Sequence, residues 1–154
     1  MEPKYPIIDF DNSIAPWLGK TAKVVDYHLQ EAFLGEGLDL SKEQMVVLKK
    51  LHHKNGMNQN ELAFLTLRDK SSLARLLSKM ERKGYIRREQ SETDKRINHV
   101  YLSDCGREVF KRTRPIIKKL MSIMEQNITK EESNQMIATL QKIQFNLTSK
   151  KAFL

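Results

Sequence analysis

Apolar residues recur at helical spacing along most of this chain and alternate as in a strand in only one stretch near its middle. From Ser13 to about Leu34, Ile14, Trp17, Leu18, Val25, Leu29 and Phe33 follow the helical period, with Pro16 tolerable in a first turn and Gly35 and Gly37 as the stop. Ser41-Lys42-Glu43-Gln44 reads as a capping box, and Met45, Leu48 and Leu51 carry a second helix that should stop near Asn55-Gly56. Asn58-Gln59-Asn60-Glu61 resembles another such box, opening a short helix that buries Leu62 and Leu65. Asp69 then N-caps a fourth helix whose inner face is Leu73, Leu76, Leu77 and Met80.

Past that helix the period changes. Lys83-Gly84 ends it and Tyr85 to Glu89 should run as a strand. Beyond a polar tip, Asp94-Lys95-Arg96, Val100 and Leu102 alternate with polar neighbours as a half-buried returning strand. Ser103 caps a long helix with Val109, Phe110, Ile116, Ile117, Leu120, Met121 and Met124 expected inward. Pro115 is expected to bend this helix rather than end it, because the period resumes beyond it. Thr129-Lys130-Glu131-Glu132 is a further capping box, and Met136, Leu140, Ile143 and Leu147 extend a final helix. The divisions predicted are an N-terminal segment 1–12, a first helix 13–40, a lobe 41–102, helices 103–148 and a fraying tail 149–154. Within the lobe the fourth helix covers about 69–83 and the hairpin about 85–102.

Composition narrows the class. A chain of 154 residues suits one domain with or without an oligomerisation extension; 40% hydrophobic and 30% charged residues, with 6 Gly and 4 Pro, describe a soluble and largely helical protein. The formal charge of +8 favours an acidic partner. Between Arg68 and Arg96 ten Lys and Arg stand against five Asp and Glu, so +5 of that excess sits in under a fifth of the chain. The single Cys105 excludes an internal disulfide framework and fits a reducing compartment. Met1 to Asn12 has no apolar core of signal-peptide length, and no run approaches the roughly 20 apolar residues of a membrane span, so a cytoplasmic protein without membrane attachment is expected.

A short helix, a tight connection and a second helix with a basic, small-residue outer face is the layout of a helix-turn-helix, whose second helix enters the major groove. The expected fold is therefore mainly α with a small β-hairpin wing: a winged helix-turn-helix flanked by N- and C-terminal dimerisation helices. Lys70, Ser71, Ser72, Arg75 and Lys79 lie on the outer face of the fourth helix, with Arg82 beyond them. Arginine can pair bidentately with guanine while hydroxyls and lysine hold phosphates, so Arg75 and Ser72 are the leading candidates. The plainer alternative is a solvated polar face. A winged helix can also serve as a protein-interaction or RNA-binding module, but only duplex reading needs both a groove-facing Arg75 and a groove-reaching Arg96. No nucleophile with its base, paired acids, metal constellation or phosphate-binding glycine loop occurs at usable spacing, so neither an enzyme nor a cofactor is expected.

Several of these residues recur together in one known pattern. Glu61-Leu62-Ala63, Asp69-Lys70-Ser71-Ser72-Leu73, Leu77 through Met80-Glu81-Arg82-Lys83-Gly84-Tyr85-Ile86-Arg87-Arg88, and Asp94-Lys95-Arg96 running to Leu102-Ser103 and Gly106 resemble the MarR (multiple antibiotic resistance regulator) family of bacterial winged-helix transcription factors. The motif covers about 45 residues and the architecture roughly 13–147. One departure is Leu67 in the turn, where the family often has glycine. The resemblance implies that Arg96 enters a minor groove, that Asp94 orients it beside Lys95, and that narrow A/T-rich grooves attract it through their negative potential. It also implies an intertwined two-fold dimer of the first, fifth and sixth helices, reading successive major grooves of a pseudo-palindromic operator, usually as a repressor. The apolar surplus at the ends supports pairing independently: Ile14, Trp17 and Leu18 at one end, and Ile137, Leu140, Ile143, Phe145 and Leu147 at the other.

A small-molecule or redox input between the dimerisation helices and the DNA-binding lobe is the remaining implication of the resemblance. Trp17, His28 and Met45 are candidate lining residues by position, although core packing explains an aromatic or a methionine equally well. No metal site is expected: His52 and His53 are adjacent and point about 100 degrees apart on a helix, and His28 and His99 stand alone in sequence. Redox-sensing members of the family place their cysteine in the first helix, so Cys105 is expected to be inert.

Overall fold

Short side-chain caps set most of the helix starts in the computed structural model, which describes residues 7–148. The expected fraying tail lies outside those residues, as do the first six residues of the N-terminal segment. The chain divides into two compact units, one through Lys42 and one from Glu43.

The first unit holds α1 (Ile14–Gly35). Ser13 stands at its N-cap position without a side-chain cap bond, because its hydroxyl donates to the Asp9 carbonyl instead. Asn12 closes the same turn, donating from its backbone N–H and its side-chain amide to the Asp9 carboxylate at 3.2 and 2.7 Å. At the other end α1 runs through Gly35, and the stop is Gly37 at φ +68° with the Leu38 N–H donating to the Phe33 carbonyl at 2.9 Å. Leu29 and Phe33 are the buried residues of this helix, while Ile14, Trp17, Val24, Tyr27 and Leu34 remain exposed. Asp26 pairs with Lys42 at 2.6 Å.

The second unit follows the order α2 (Lys42–His53), β1 (Met57–Asn58), α3 (Gln59–Leu65), α4 (Lys70–Arg82), β2 (Ile86–Gln90), β3 (Asn98–Leu102), α5 (Asp104–Met124) and α6 (Lys130–Thr148). The strands form an antiparallel sheet in the order β1-β3-β2. Two strands were expected, and β1 is the third. It is only two residues long and pairs Met57 with Val100 and Asn58 with His99, so it carries no alternation of its own. Side chains complete the joint: Asn55 Oδ1 accepts from the Leu102 N–H at 2.8 Å, and His99 Nδ1 lies 3.1 Å from the Gly56 carbonyl oxygen. Gly56 is required there, since its φ is +74° and a Cβ would meet the Tyr101 ring at 2.8 Å.

Leu48, Leu51, Leu62, Leu73, Leu77, Met80 and Val100 are fully buried and form the centre of the lobe. Val47 and Gln44 join them on α2, whereas Met45 and Leu65 are only half-buried. The buried Gln44 side chain accepts from Lys83 Nζ at 3.1 Å, tying α2 to the end of α4. Ser103 caps α5 as expected: its hydroxyl accepts from the Gly106 N–H at 2.9 Å and donates to the Gly84 carbonyl.

Beyond its first half α5 departs from expectation. The lobe buries Gly106, Val109 and Thr113, and no described residue after Thr113 on α5 is buried. Met121 and Met124, expected inward, are 50% and 44% exposed. Periodicity marks an apolar face correctly, but the described chain covers it only in part: Ile116, Ile117 and Leu120 are half-buried. Pro115 sits inside the helix without ending it, leaving the Lys111 carbonyl without its usual donor. In α6 the capping box is complete, with the Glu132 N–H on Thr129 Oγ1 at 3.1 Å and the Thr129 N–H on Glu132 Oε2 at 2.8 Å, yet no residue of that helix is buried.

Candidate nucleic-acid interface

The helix-turn-helix is built from α3, a four-residue turn and α4. Asn58 opens α3 by accepting from the Asn60 N–H at 2.8 Å; Glu61, expected to return the bond, pairs with Lys54 Nζ at 2.9 Å instead. Leu67 takes the left-handed conformation at φ +53°, the backbone state that glycine adopts most cheaply. This lets the Arg68 N–H reach the Ala63 carbonyl at 3.0 Å and aims the chain into α4. There Asp69 Oδ1 caps the helix by accepting from the Ser72 N–H at 2.8 Å.

The apolar stripe Leu73, Leu77 and Met80 buries one face of α4, so the opposite face must be presented outward. Lys70, Ser71, Arg75, Lys79 and Arg82 are all exposed there. Ser72 is half-buried at the rim, and its hydroxyl accepts from Arg68 Nη1 at 2.7 Å. Arg68 was not singled out by sequence; its position before the Asp69 cap is the signal that could have marked it.

The wing pairs residues 86–90 with 98–102 in register, from Ile86 opposite Leu102 to Gln90 opposite Asn98. Ser91 and Ile97 close the hairpin through the Ser91 N–H on the Ile97 carbonyl at 2.8 Å. At the tip, Arg96 donates from its backbone N–H and Nε to Asp94 Oδ1 at 3.0 and 3.1 Å, and from Nη2 to Oδ2 at 3.2 Å. Those bonds hold the Asp94 carboxyl below the usual range, the Arg96 side-chain bond being the largest cause. The Arg96 side chain is nonetheless 90% exposed, and Lys95 beside it is exposed too. Arg87 stacks on Tyr101 at 4.5 Å across the outer face of the sheet.

A second feature lies between α2 and α5. Met45, Phe110, Ile117 and Met121 line an open groove of about 570 Å³, with Lys49, Arg114 and Lys118 among its walls. Of the three residues expected around an effector, Met45 is here; Trp17 and His28 are exposed on α1, the Trp17 indole N–H donating to the Asp11 carbonyl at 2.7 Å. The run Phe110, Thr113, Ile117 and Met121, at i, i+3, i+7 and i+11, is the sequence signal for the α5 wall. Cys105 is exposed in the first turn of α5. Among the described residues no three His, Cys, Asp or Glu side chains gather as a metal site, and no helix is long and apolar enough to cross a membrane.

A capped reading helix with a cationic outer face, next to a hairpin that carries an exposed arginine, defines a winged-helix DNA-binding protein. Residues 40–97 match the family model described as the MarR family. The chain is 25% identical over 136 residues to the uncharacterized HTH-type transcriptional regulator YybA of Bacillus subtilis, covering 88% of this chain and 89% of that protein. It is 26% identical to a MarR-family transcriptional regulator from Silicibacter pomeroyi, with a TM-score of 0.72 and coverage of 93% and 95% of the two chains. Its fold also matches the repressor CouR bound to a 23-mer DNA duplex, at 18% identity, a TM-score of 0.80 and coverage of 92% and 99%. CouR from Rhodococcus jostii bound to p-coumaroyl-CoA matches at 21% identity and a TM-score of 0.75, over 89% and 95%. Residues 40–97 thus match the MarR-family domain, and over most of its length the chain is similar to transcriptional regulators.

Proposed function

We propose that this regulator binds a pseudo-palindromic operator as a homodimer, as a repressor, with the recognition helix α4 in the major groove and the wing in the minor groove. Lys70, Ser71, Ser72, Arg75 and Lys79 meet the major groove and its phosphates, Arg75 as the base reader. Lys95 and Arg96 meet the minor groove, with Asp94 as the orienting acid. The observation that carries this reading is Arg96: fully bonded to Asp94 along one edge, yet 90% exposed at the end of a hairpin that shares a core with α4. A held, solvent-facing guanidinium suits insertion into a narrow groove of negative potential.

Pairing of two chains is supported by the exposed apolar residues of α1, the uncovered end of α5 and the wholly unburied α6. In the domain plan that follows, α1 and residues 103–148 dimerise and residues 41–102 read DNA. The groove between α2 and α5 supports an effector with an apolar body and an anionic group, since its apolar walls carry Lys49, Arg114 and Lys118 against the one acid Glu125. That CouR holds p-coumaroyl-CoA, an anionic thioester, agrees with this chemistry.

The test is selection of bound duplexes from a random pool at low salt, with sedimentation of the free protein and of the complex. One two-fold site bound by two chains is the expected result. A chain that selects no duplex, or binds as a monomer to an asymmetric site, overturns the reading.

A further inference from the structure

A polar rivet joins the wing to the recognition helix. Arg88 lies on the inward face of β2, opposite the fully buried Val100 and two residues beyond the buried Ile86. A core-facing strand position of this kind ordinarily takes an apolar residue. The guanidinium instead crosses to α4, where Nε donates to Glu81 Oε2 at 3.2 Å and Nη2 donates to Glu81 Oε1 at 3.4 Å. The Arg88 backbone N–H donates to the same Oε2 at 3.0 Å, and Nη2 also reaches Ser78 Oγ at 3.2 Å. Ser78 in turn donates to the Ala74 carbonyl at 2.9 Å, one turn back on the helix. Glu81 therefore grips both backbone and side chain of one wing residue, and its carboxyl is held below the usual range, chiefly by the Arg88 side-chain bond.

We propose that Glu81 and Arg88 are a positioning pair that fixes the angle between recognition helix and wing, and so the base-pair spacing at which the two grooves are read together. This rests on the two-groove reading above. The planar fork matters because two parallel bonds set an orientation as well as a distance. Beyond Arg88 the hairpin is held by bonds of its own, such as Ser91 to Ile97 and Ile97 to Asp94, so a tilt at this point carries the whole tip with it.

The experiment uses the full chain and the duplex it selects, with the A/T-rich flank moved one base pair inward or outward from the half-site core. Wild-type protein should prefer one spacing by about tenfold, the size of a single lost groove contact. Glu81→Gln removes the charge and turns one acceptor into a donor; it should flatten that preference while keeping affinity for random duplexes and the thermal midpoint near wild type. If Glu81→Gln does not fold, Arg88→Lys, which keeps the charge but loses the fork, carries the same test. A variant as selective for spacing as wild type, or one weakened equally at every spacing with a lowered melting point, overturns the pair's role alone. A wild type indifferent to spacing overturns the two-groove reading and the pair's role with it.

Discussion

Asp94 holds Arg96 by both carboxylate oxygens and one backbone bond while leaving the guanidinium in solvent at the tip of the wing. An exposed ion pair of this kind adds little to stability, so its effect is on where the arginine points. Arg96→Ala should reduce binding most on duplexes with A/T-rich flanks, by about tenfold, and little on G/C-rich ones. Asp94→Asn should lose part of the same discrimination with the melting point unchanged. Because the folded Asp94 carboxyl lies below its ordinary value, the bond is present above the unfolded pKa and lost only as pH falls through the lowered folded one. Flank discrimination measured by fluorescence anisotropy should therefore stay flat from neutral pH down to the carboxylate range; a loss already near neutrality would count against Asp94 as its source.

Arg75 and Lys79 stand one turn apart on the exposed face of α4 and should separate cleanly in binding assays. Arg75→Ala should cost about 1 to 3 kcal/mol on the selected duplex and relax its base preference. Lys79→Ala should weaken all duplexes alike and lower the salt slope by about 1. Equal losses on selected and random duplexes for Arg75→Ala would remove it as a base reader.

Leu67 occupies a left-handed backbone conformation and is 69% exposed. That state costs an L-residue about 1 to 2 kcal/mol, and glycine gives back about 0.5 to 1 of it through its freer unfolded chain. Leu67→Gly should thus raise stability by up to about 1 kcal/mol in urea unfolding with an unchanged m-value. A lower midpoint would mean that the exposed leucine side chain stabilises the turn.

Gly106 lies against the backbone that leads into β2, where an added Cβ would sit 2.0 Å from the Tyr85 carbonyl oxygen. That oxygen already accepts from the Ser103 N–H at 3.1 Å, so the strand and helix on either side leave no room to yield. Gly106→Ala should destabilise the chain by about 3 kcal/mol or more, at the upper end of overpacking costs. A urea midpoint close to wild type would show that α5 can shift away from the lobe.

Three of the helix caps, which rest on bonds between near neighbours, were legible in the sequence. Asp69, Ser103 and Thr129 cap their helices because each acceptor needs only an N–H three residues on. The amphipathic period of α4 exposed its cationic face for the same reason, since burying Leu73, Leu77 and Met80 decides which way Arg75 and Lys79 face. The pairing of Asp94 with Arg96, implied by resemblance, spans two residues and is found as such.

Features that depend on distant partners were not legible. The strand β1 exists only because β3 lies beside it, and Glu61 leaves its expected cap for Lys54. Met121 and Met124 look like core residues by period, but burial needs a covering surface that no local pattern encodes. In the wing, the sequence alone determined the charged tip and its neighbours. Only the tertiary structure placed Arg88 across from Glu81, because that contact forms when β2 folds back along α4 and brings together groups whose spacing in the chain says nothing of their meeting.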